Sequence, residues 1–224
     1  MMKRIFDAIA TGLALILLSP LLFPLMAILR VTGEGEIFYL QARMGRDGAL
    51  FSIVKFATML KDSPTLPGGD ITVGNDPRTL PVGRFLRKTK INELPQLWNV
   101  LIGEMSLIGP RPLTRRMYDA FPQSYKSAVA LVRPGLSGIG SVIFRNEEKL
   151  LSGAEDREST YNEIIIPYKA SLETWYVKNH SFWLDMKLIL LTVIVIVLPE
   201  MNVQRFLRGA PLPTMQHPPA DGTP

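Results

Sequence analysis

The first thirty residues show almost no polar periodicity. From Ala8 to Leu29, a run of 22 residues, no side chain carries a formal charge, which is long enough for a helix to cross a bilayer. Lys3 and Arg4 precede the run and Arg30 follows it. A signal peptide also opens on basic residues. However, the run is long and no small-x-small cleavage site clearly follows, so the segment reads as retained. Pro20 and Pro24 sit past its middle, and each removes a backbone donor and crowds the preceding turn. The Ser19 hydroxyl can bond a freed carbonyl and favour a bend. Positive charge at both ends fits poorly with a span, which normally shows a biased side. The pattern predicts a membrane element over residues 1–32 that enters one leaflet, breaks at Ser19-Pro20 and returns. A kinked single span is the alternative.

Beyond Arg30 the period shortens. Ile37–Gln41 and Leu50–Val54 are strand-like and flank Gly45-Arg46-Asp47-Gly48, which predicts a β-hairpin. Residues 62–82 are rich in Pro and Gly and read as a long loop of the kind that is often functional. Helical spacing resumes over Val82–Arg87 and again over Glu93–Ile102, where Gly103 supplies a stop. Residues 104–145 alternate short helices with Pro/Gly loops. Leu184–Leu198 is strongly apolar, but within it only eleven uncharged residues follow Lys187. That is too short to span, so a core helix or one lying in the membrane interface is expected. An unpaired charge near the start of that helix is costly, so Asp185 and Lys187 are expected to pair or to contact a lipid headgroup. The remainder organises as a membrane-surface domain over 33–208 and a Pro-rich, disordered tail over 209–224. The fold class is α+β, mainly α.

The chain has 224 residues, a formal charge of +5, 47% apolar residues and no cysteine. Disulfide and thiol chemistry are thereby excluded. Two histidines, His180 and His217, make a zinc site or a histidine-based triad improbable. The positive charge is concentrated: between Arg84 and Arg145 there are ten basic residues against three acidic ones. Such a block suits a lipid headgroup, a nucleotide diphosphate or a nucleic acid. A nucleic-acid binder calls for basic surfaces interleaved with aromatics and has no use for an apolar entry segment.

Within this block, Gly109-Pro110-Arg111-Pro112 holds an arginine between two prolines. A residue before proline is pushed into extended backbone, and a guanidinium on so stiff a loop suits bidentate phosphate binding. A solvated arginine on a rigid turn is the plainer account. Arg133-Pro134-Gly135-Leu136-Ser137-Gly138 repeats the device, with glycines that allow close backbone approach. Asn92 and Glu93 precede a helical run, and capping plus dipole complementarity would explain both. The functional account makes Glu93 a metal ligand, general base or nucleophile, beside Arg84, Arg87, Lys88 and Lys90. Lys55 closes the second predicted strand, where a lysine is usually solvated.

These elements, in this order, resemble the bacterial sugar transferase family, the small monotopic phosphoglycosyl transferases. The resemblance runs from about Lys3 to Leu198. It includes the Ser19-Pro20 break, Gln41-x-Arg43-x-Gly45, Lys55-Phe56-x-Thr58-Met59 and Gly83–Arg87. It continues through Glu93-Leu94-Pro95-Gln96-Leu97-x-Asn99-Val100, Met105–Pro112, Arg133-Pro134-Gly135-x-x-Gly138 and Ser181-x-x-x-Asp185-x-Lys187. It implies a re-entrant helix, amphipathic helices on the membrane surface and a small catalytic region containing the hairpin. It also implies transfer of a sugar-1-phosphate from a UDP-sugar to undecaprenyl phosphate, with release of UMP and a requirement for Mg²⁺. This would be the first membrane step of a bacterial surface glycan, at the cytoplasmic face of the inner membrane. Lys55, Arg87, Arg111, Arg133 and Arg145 become the expected phosphate contacts, and Glu93 the expected metal ligand. Nucleic acid is not an expected partner, and a homodimer is left open.

Two departures stand out. The family has an Asp-Glu pair where this chain has Asn92-Glu93, and the family aspartate attacks the β-phosphorus. An amide lacks an anionic oxygen for that attack, and its loss of charge weakens a Mg²⁺ site. A natural variant acting through Glu93 or by direct transfer, a deliberately inactivated chain, and a weakly active natural member are all compatible. Ala57 stands where the family often has arginine. A catalytically impaired membrane scaffold is the rival reading, though it would have no need of Glu93, Arg111, Arg133 and Lys55 together.

Overall fold

The computed structural model describes residues 2–63, 76–145, 157–198 and 201–211. Most of the long loop expected over 62–82, and the tail beyond Pro211, lie outside them. The first element, α1 (Met2–Val31), is a 30-residue helix with Pro20 and Pro24 inside it. It is the one helix among the described residues long and apolar enough to cross a membrane. The expected break at Ser19-Pro20 is not an interruption of the helix. Pro20 cannot donate to the carbonyl four residues back, and the Ser19 hydroxyl donates to that same Ile16 carbonyl at 2.7 Å. A local side-chain bond thus replaces the lost backbone bond.

Both ends of α1 are held by one body. Near the N-terminus, Lys3 donates to the Ile108 carbonyl and pairs with Asp185 at 2.6 Å. Arg4 donates to the carbonyls of Val100 and Leu101, and Asp7 accepts from Ser106. Near the C-terminus, Leu25 and Leu29 pack with Phe56 and Leu86. Between these anchors Leu13, Ile16, Leu17, Leu21 and Phe23 are exposed.

The hairpin forms as its pattern predicts: β1 (Phe38–Met44) and β2 (Leu50–Phe56) are antiparallel, with Met44 opposite Leu50. Asp47 and Gly48 carry the positive φ angles of the turn, 58° and 69°. Alternation along β2 puts Ile53 and Lys55 on the same face. Ile53 meets Val100 and Met105 in the core, so Lys55 is directed inward too. The edge of β2 away from β1 is closed by one side chain. Asn99 accepts from Val54 N and donates to the carbonyl of Ser52 at 2.8 Å and to Glu104.

α2 (Pro81–Lys88) begins with proline at its first turn, where the missing N–H is no loss. A 3₁₀ turn (Ile91–Glu93) leads to α3 (Gln96–Ile102), which stops at Gly103 with φ 95°. The helix expected from Glu93 therefore starts three residues later. Next come β3 (Ser106–Ile108), α4 (Arg115–Ala120), α5 (Gln123–Val129), β4 (Gly135–Ser137) and α6 (Ile139–Ile143). The strands β3 and β4 pair in parallel. α7 (Arg157–Thr160) runs through a π-helical turn (Tyr161–Ile165) into α8 (Ile166–Asn179). α9 (Phe182–Val197) is capped by the Ser181 side chain. It buries Leu188, Leu191 and Val195 against Ile108, Ile139, Leu172 and Tyr176, and exposes Trp183, Leu190, Val193 and Ile196. Asp185 has the partners expected of it, Lys3 and the Tyr176 hydroxyl. Ala210, placed by pattern in the tail, still packs against this core.

Candidate functional site

Glu93 closes the 3₁₀ turn that follows Lys90, whose φ of 63° is left-handed. That sharp entry aims the carboxylate at the Gly109–Pro112 loop. Arg111 grips it with both terminal nitrogens, at 2.9 Å to Oε1 and 3.5 Å to Oε2. Lys55 approaches Oε1 at 4.0 Å from the inward face of β2. Two candidates from separate stretches of sequence thus converge on the carboxylate of a third. Glu93 is mostly enclosed, whereas the Arg111 side chain is 45% exposed, so the guanidinium forms the open side of the cluster.

Burial would raise the Glu93 carboxyl, but Arg111 and Lys55 outweigh it and hold the carboxyl down at about 2. It is ionised at any physiological pH. Lys55 is pushed down to about 7, chiefly by burial, and the Glu93 charge only partly offsets the effect of burial and of Arg111, Arg43 and Arg87. Burial beside like charges is a common way to tune a lysine within a working site.

Capping does not account for Asn92. The helix after it starts at Gln96 with Pro95 at the cap position and no side-chain cap bond. Asn92 is instead buried, and its Oδ1 has no hydrogen-bond partner. A buried amide oxygen without a partner is costly, and it lies next to the one carboxylate of the cluster.

The remaining candidates are placed differently. Arg87 lies beside Met59, with its Nη1 3.6 Å from the sulfur, and its charge bears on Lys55. Arg133 donates through Nε to the carbonyl of Gly103 at 2.7 Å, closing the end of α3. Arg145 is half-buried just beyond α6. Neither Arg133 nor Arg145 has an ion pair to Glu93 among the described residues.

The two Pro-Gly loops are bonded to each other. Gly109 N donates to Ser137 O at 2.9 Å and Gly135 N to Pro110 O at 2.8 Å. A Cβ at Gly109, Gly135 or Gly138 would collide with the opposing backbone. Those glycines are what let the Arg111 loop sit flush on β4.

Three further residues shape the site. Arg43 reaches from β1 to Gln41 and to the Pro112 carbonyl. Asn99 ties β2, and hence Lys55, to α3. Glu173 of α8 lies beneath the Arg111 loop. Arg43 and Asn99 fall inside the motifs quoted above, but nothing local reveals that their work is to brace other residues.

A divalent cation has few protein ligands to choose from. No group of three or more His, Cys, Asp or Glu suited to a metal exists among the described residues. Glu93 is the carboxylate of the cluster, and Asn92, its neighbour in sequence, carries an amide oxygen with no hydrogen-bond partner. Mg²⁺ is commonly held by one or two carboxylates plus substrate phosphates, and this donor set fits that habit.

The chain is 36% identical over 199 residues to the UDP-glucose:undecaprenyl-phosphate glucose-1-phosphate transferase of Klebsiella pneumoniae, covering 85% of this chain and 39% of that protein. It is 34% identical over 193 residues to the UDP-N-acetylgalactosamine-undecaprenyl-phosphate N-acetylgalactosaminephosphotransferase of Aeromonas hydrophila, covering 85% and 42%. The exopolysaccharide production protein ExoY of Rhizobium meliloti is 31% identical over 210 residues, covering 86% and 84%. The chain therefore spans about two-fifths of the length of the first two relatives and most of the third. The sequence profile described as bacterial sugar transferase matches residues 1–199, and the chain belongs to that family.

Proposed function

We propose that this protein transfers a sugar-1-phosphate from a UDP-sugar to undecaprenyl phosphate at the cytoplasmic face of the bacterial inner membrane, releasing UMP. The observation that carries this reading is the Lys55–Glu93–Arg111 cluster and its position. Lys55 is next in sequence to Phe56, which packs on the C-terminal end of the membrane helix α1. Phosphate chemistry and membrane attachment thus meet within one residue. The printed names of the Klebsiella and Aeromonas relatives supply the substrate classes.

In this reading Arg111, half-open to solvent, binds the diphosphate of the donor with its fork of N–H groups. Lys55 adds charge at the bridging side as the phosphorus becomes more crowded with negative oxygen. Attack by an oxygen of the lipid phosphate on the β-phosphorus forms one P–O bond. The bond to UMP breaks, and UMP leaves with the electron pair. Glu93 and the Asn92 amide oxygen would hold Mg²⁺, which when bound neutralises diphosphate oxygens. Asn92 itself carries no anionic oxygen to attack phosphorus, so direct transfer between the two bound substrates fits this chain better than a covalent step at position 92.

Both ends of α1 are gripped by the same body. A crossing helix would put roughly 30 Å of hydrocarbon between them, so entry and return through one leaflet is the better account. The test is UMP release from a panel of UDP-sugars with and without undecaprenyl phosphate, run beside Asn92→Asp. UMP production that requires the lipid acceptor supports the proposal. No turnover with any donor in the native chain, with strong turnover in Asn92→Asp, would leave the impaired scaffold as the better reading.

A further inference from the structure

The carboxyl of Glu173 is buried and faces the backbone of two loops. The Gly140 and Arg111 N–H groups bond to it, while Oε2 is sealed away with no partner. The packing has no slack, because a side chain at Gly140 would strike Oε1. The reaction derived above makes no use of this carboxyl. We propose that Glu173 is a positioning residue: it fixes the Arg111 peptide from below, so that the guanidinium is held towards Glu93 and a phosphate. This rests on the function proposed above, and names what controls that site.

The charge balance around Glu173 explains why its protonation matters. Lys169, one turn earlier on the same helix, and Arg111, from the loop above, are the cations that act on it. Tyr125 of α5 and Tyr176 of α8 face it as neutral phenols, both pushed up by burial and then by their acidic neighbours. Burial outweighs both cations and raises the Glu173 carboxyl to about 8. At neutral pH it is therefore an acid that accepts N–H bonds without competing for the guanidinium. Once ionised, it becomes a second carboxylate whose charge acts on Arg111, in a setting where an unpaired charge is expensive. It then draws the guanidinium inward and away from Glu93.

The test compares the native chain with Glu173→Gln, which keeps the acceptor and the shape but cannot ionise. With saturating UDP-sugar and lipid, native kcat should fall at least threefold between pH 7 and 9. Glu173→Gln should match native kcat at pH 7 and lose most of that fall. Saturating donor keeps Lys55 charged, and the Lys55→Arg variant, whose cation persists throughout, should retain the kcat limb. Independently of turnover, Arg111 modification by phenylglyoxal can be mapped by peptide mass with exposed Arg116 as internal standard. The Arg111:Arg116 ratio should drop from pH 7 to 9 in the native chain and stay level in Glu173→Gln. An identical kcat limb in both proteins overturns the proposal, as does a ratio that changes equally in both. If the ratio behaves as expected while no donor is turned over, the positioning role stands and the proposed reaction falls.

Discussion

Arg111 and Arg116 lie five positions apart in the same basic block, yet only Arg111 is held by flanking prolines and by an ion pair to a buried carboxylate. Arg111→Ala should remove one or two charge-assisted contacts to phosphate, each worth roughly 1.5–3 kcal/mol. That corresponds to a loss in kcat/KM of roughly ten-fold to a few tens of thousands-fold, whereas Arg116→Ala should change it by less than about threefold. Steady-state kinetics on both variants decide this, and equal small losses would make the loop structural. Lys55 predicts a pH effect of its own. Its ammonium is held down at about 7, so in the free enzyme the cation is lost as pH rises through neutrality. The quantity kcat/KM, which reports the free enzyme, should decline above pH 7, and Lys55→Arg should remove the first part of that decline while leaving the later part that Glu173→Gln removes. Glu93 has the opposite sense. Its carboxyl sits below the ordinary value, so its pairing stabilises the fold above about pH 4.5 and is lost as pH falls towards 2. The gap in denaturation midpoint between the native chain and Glu93→Gln should close over that range. Asn92 shows why local pattern misleads at this scale. Asn-Glu before a helical run reads as a cap, but Pro95 moves the helix start onward and leaves the amide buried with its oxygen unpartnered.

α1 and β2 carry the argument between elements. The prolines of α1 mark a site of bending in the sequence, and the Ser19 hydroxyl bonding to the Ile16 carbonyl shows how the helix tolerates Pro20 without ending there. What pattern could not supply was the set of anchors. Lys3 meets Asp185 across nearly the whole chain, and Arg4 meets the end of α3. Cysteines introduced at positions 2 and 33 should be labelled from the same side of sealed, oriented vesicles, and labelling from opposite sides would restore a crossing helix. β2 depends on Asn99 for its outer edge. Asn99→Ala leaves the Val54 N–H and Ser52 carbonyl without their partner, and with about 1 kcal/mol per bond should cost roughly 2–3 kcal/mol in denaturant unfolding. Lys55 is one residue from Val54, so activity should fall along with stability.

At the scale of the molecule, the exposed apolar residues form the feature that a water-soluble domain would not tolerate. The middle of α1, Phe85 of α2, Trp98 and Ile102 of α3, and Trp183, Leu190 and Ile196 of α9 are all exposed. Trp175 is only partly exposed and packs against the main core. The chain has three tryptophans, which makes the contrast measurable. In single-tryptophan variants bound to vesicles containing brominated lipid, Trp98 and Trp183 should be quenched strongly and Trp175 weakly. Equal quenching at all three would mean that these helices do not face lipid.

Sequence alone determined the elements whose cause is local. The uncharged run made α1, the alternation around Gly45–Gly48 made the hairpin, Gly103 stopped α3, and the prolines around Arg111 stiffened its loop. These outcomes follow from backbone geometry and the spacing of apolar side chains, which neighbouring residues already specify. The ordered motifs were specific enough to mark the family as well. Tertiary structure decided everything that depends on contacts between distant segments. It directed Lys55 inward onto Glu93 and bound Arg133 to the end of α3 rather than to that carboxylate. It also put Asn99 on the edge of β2 and buried Glu173 under Arg111. A charged side chain announces only its chemistry. Which partner it finds, how much water it keeps and where its proton equilibrium settles are set by the packing of elements far apart in the chain.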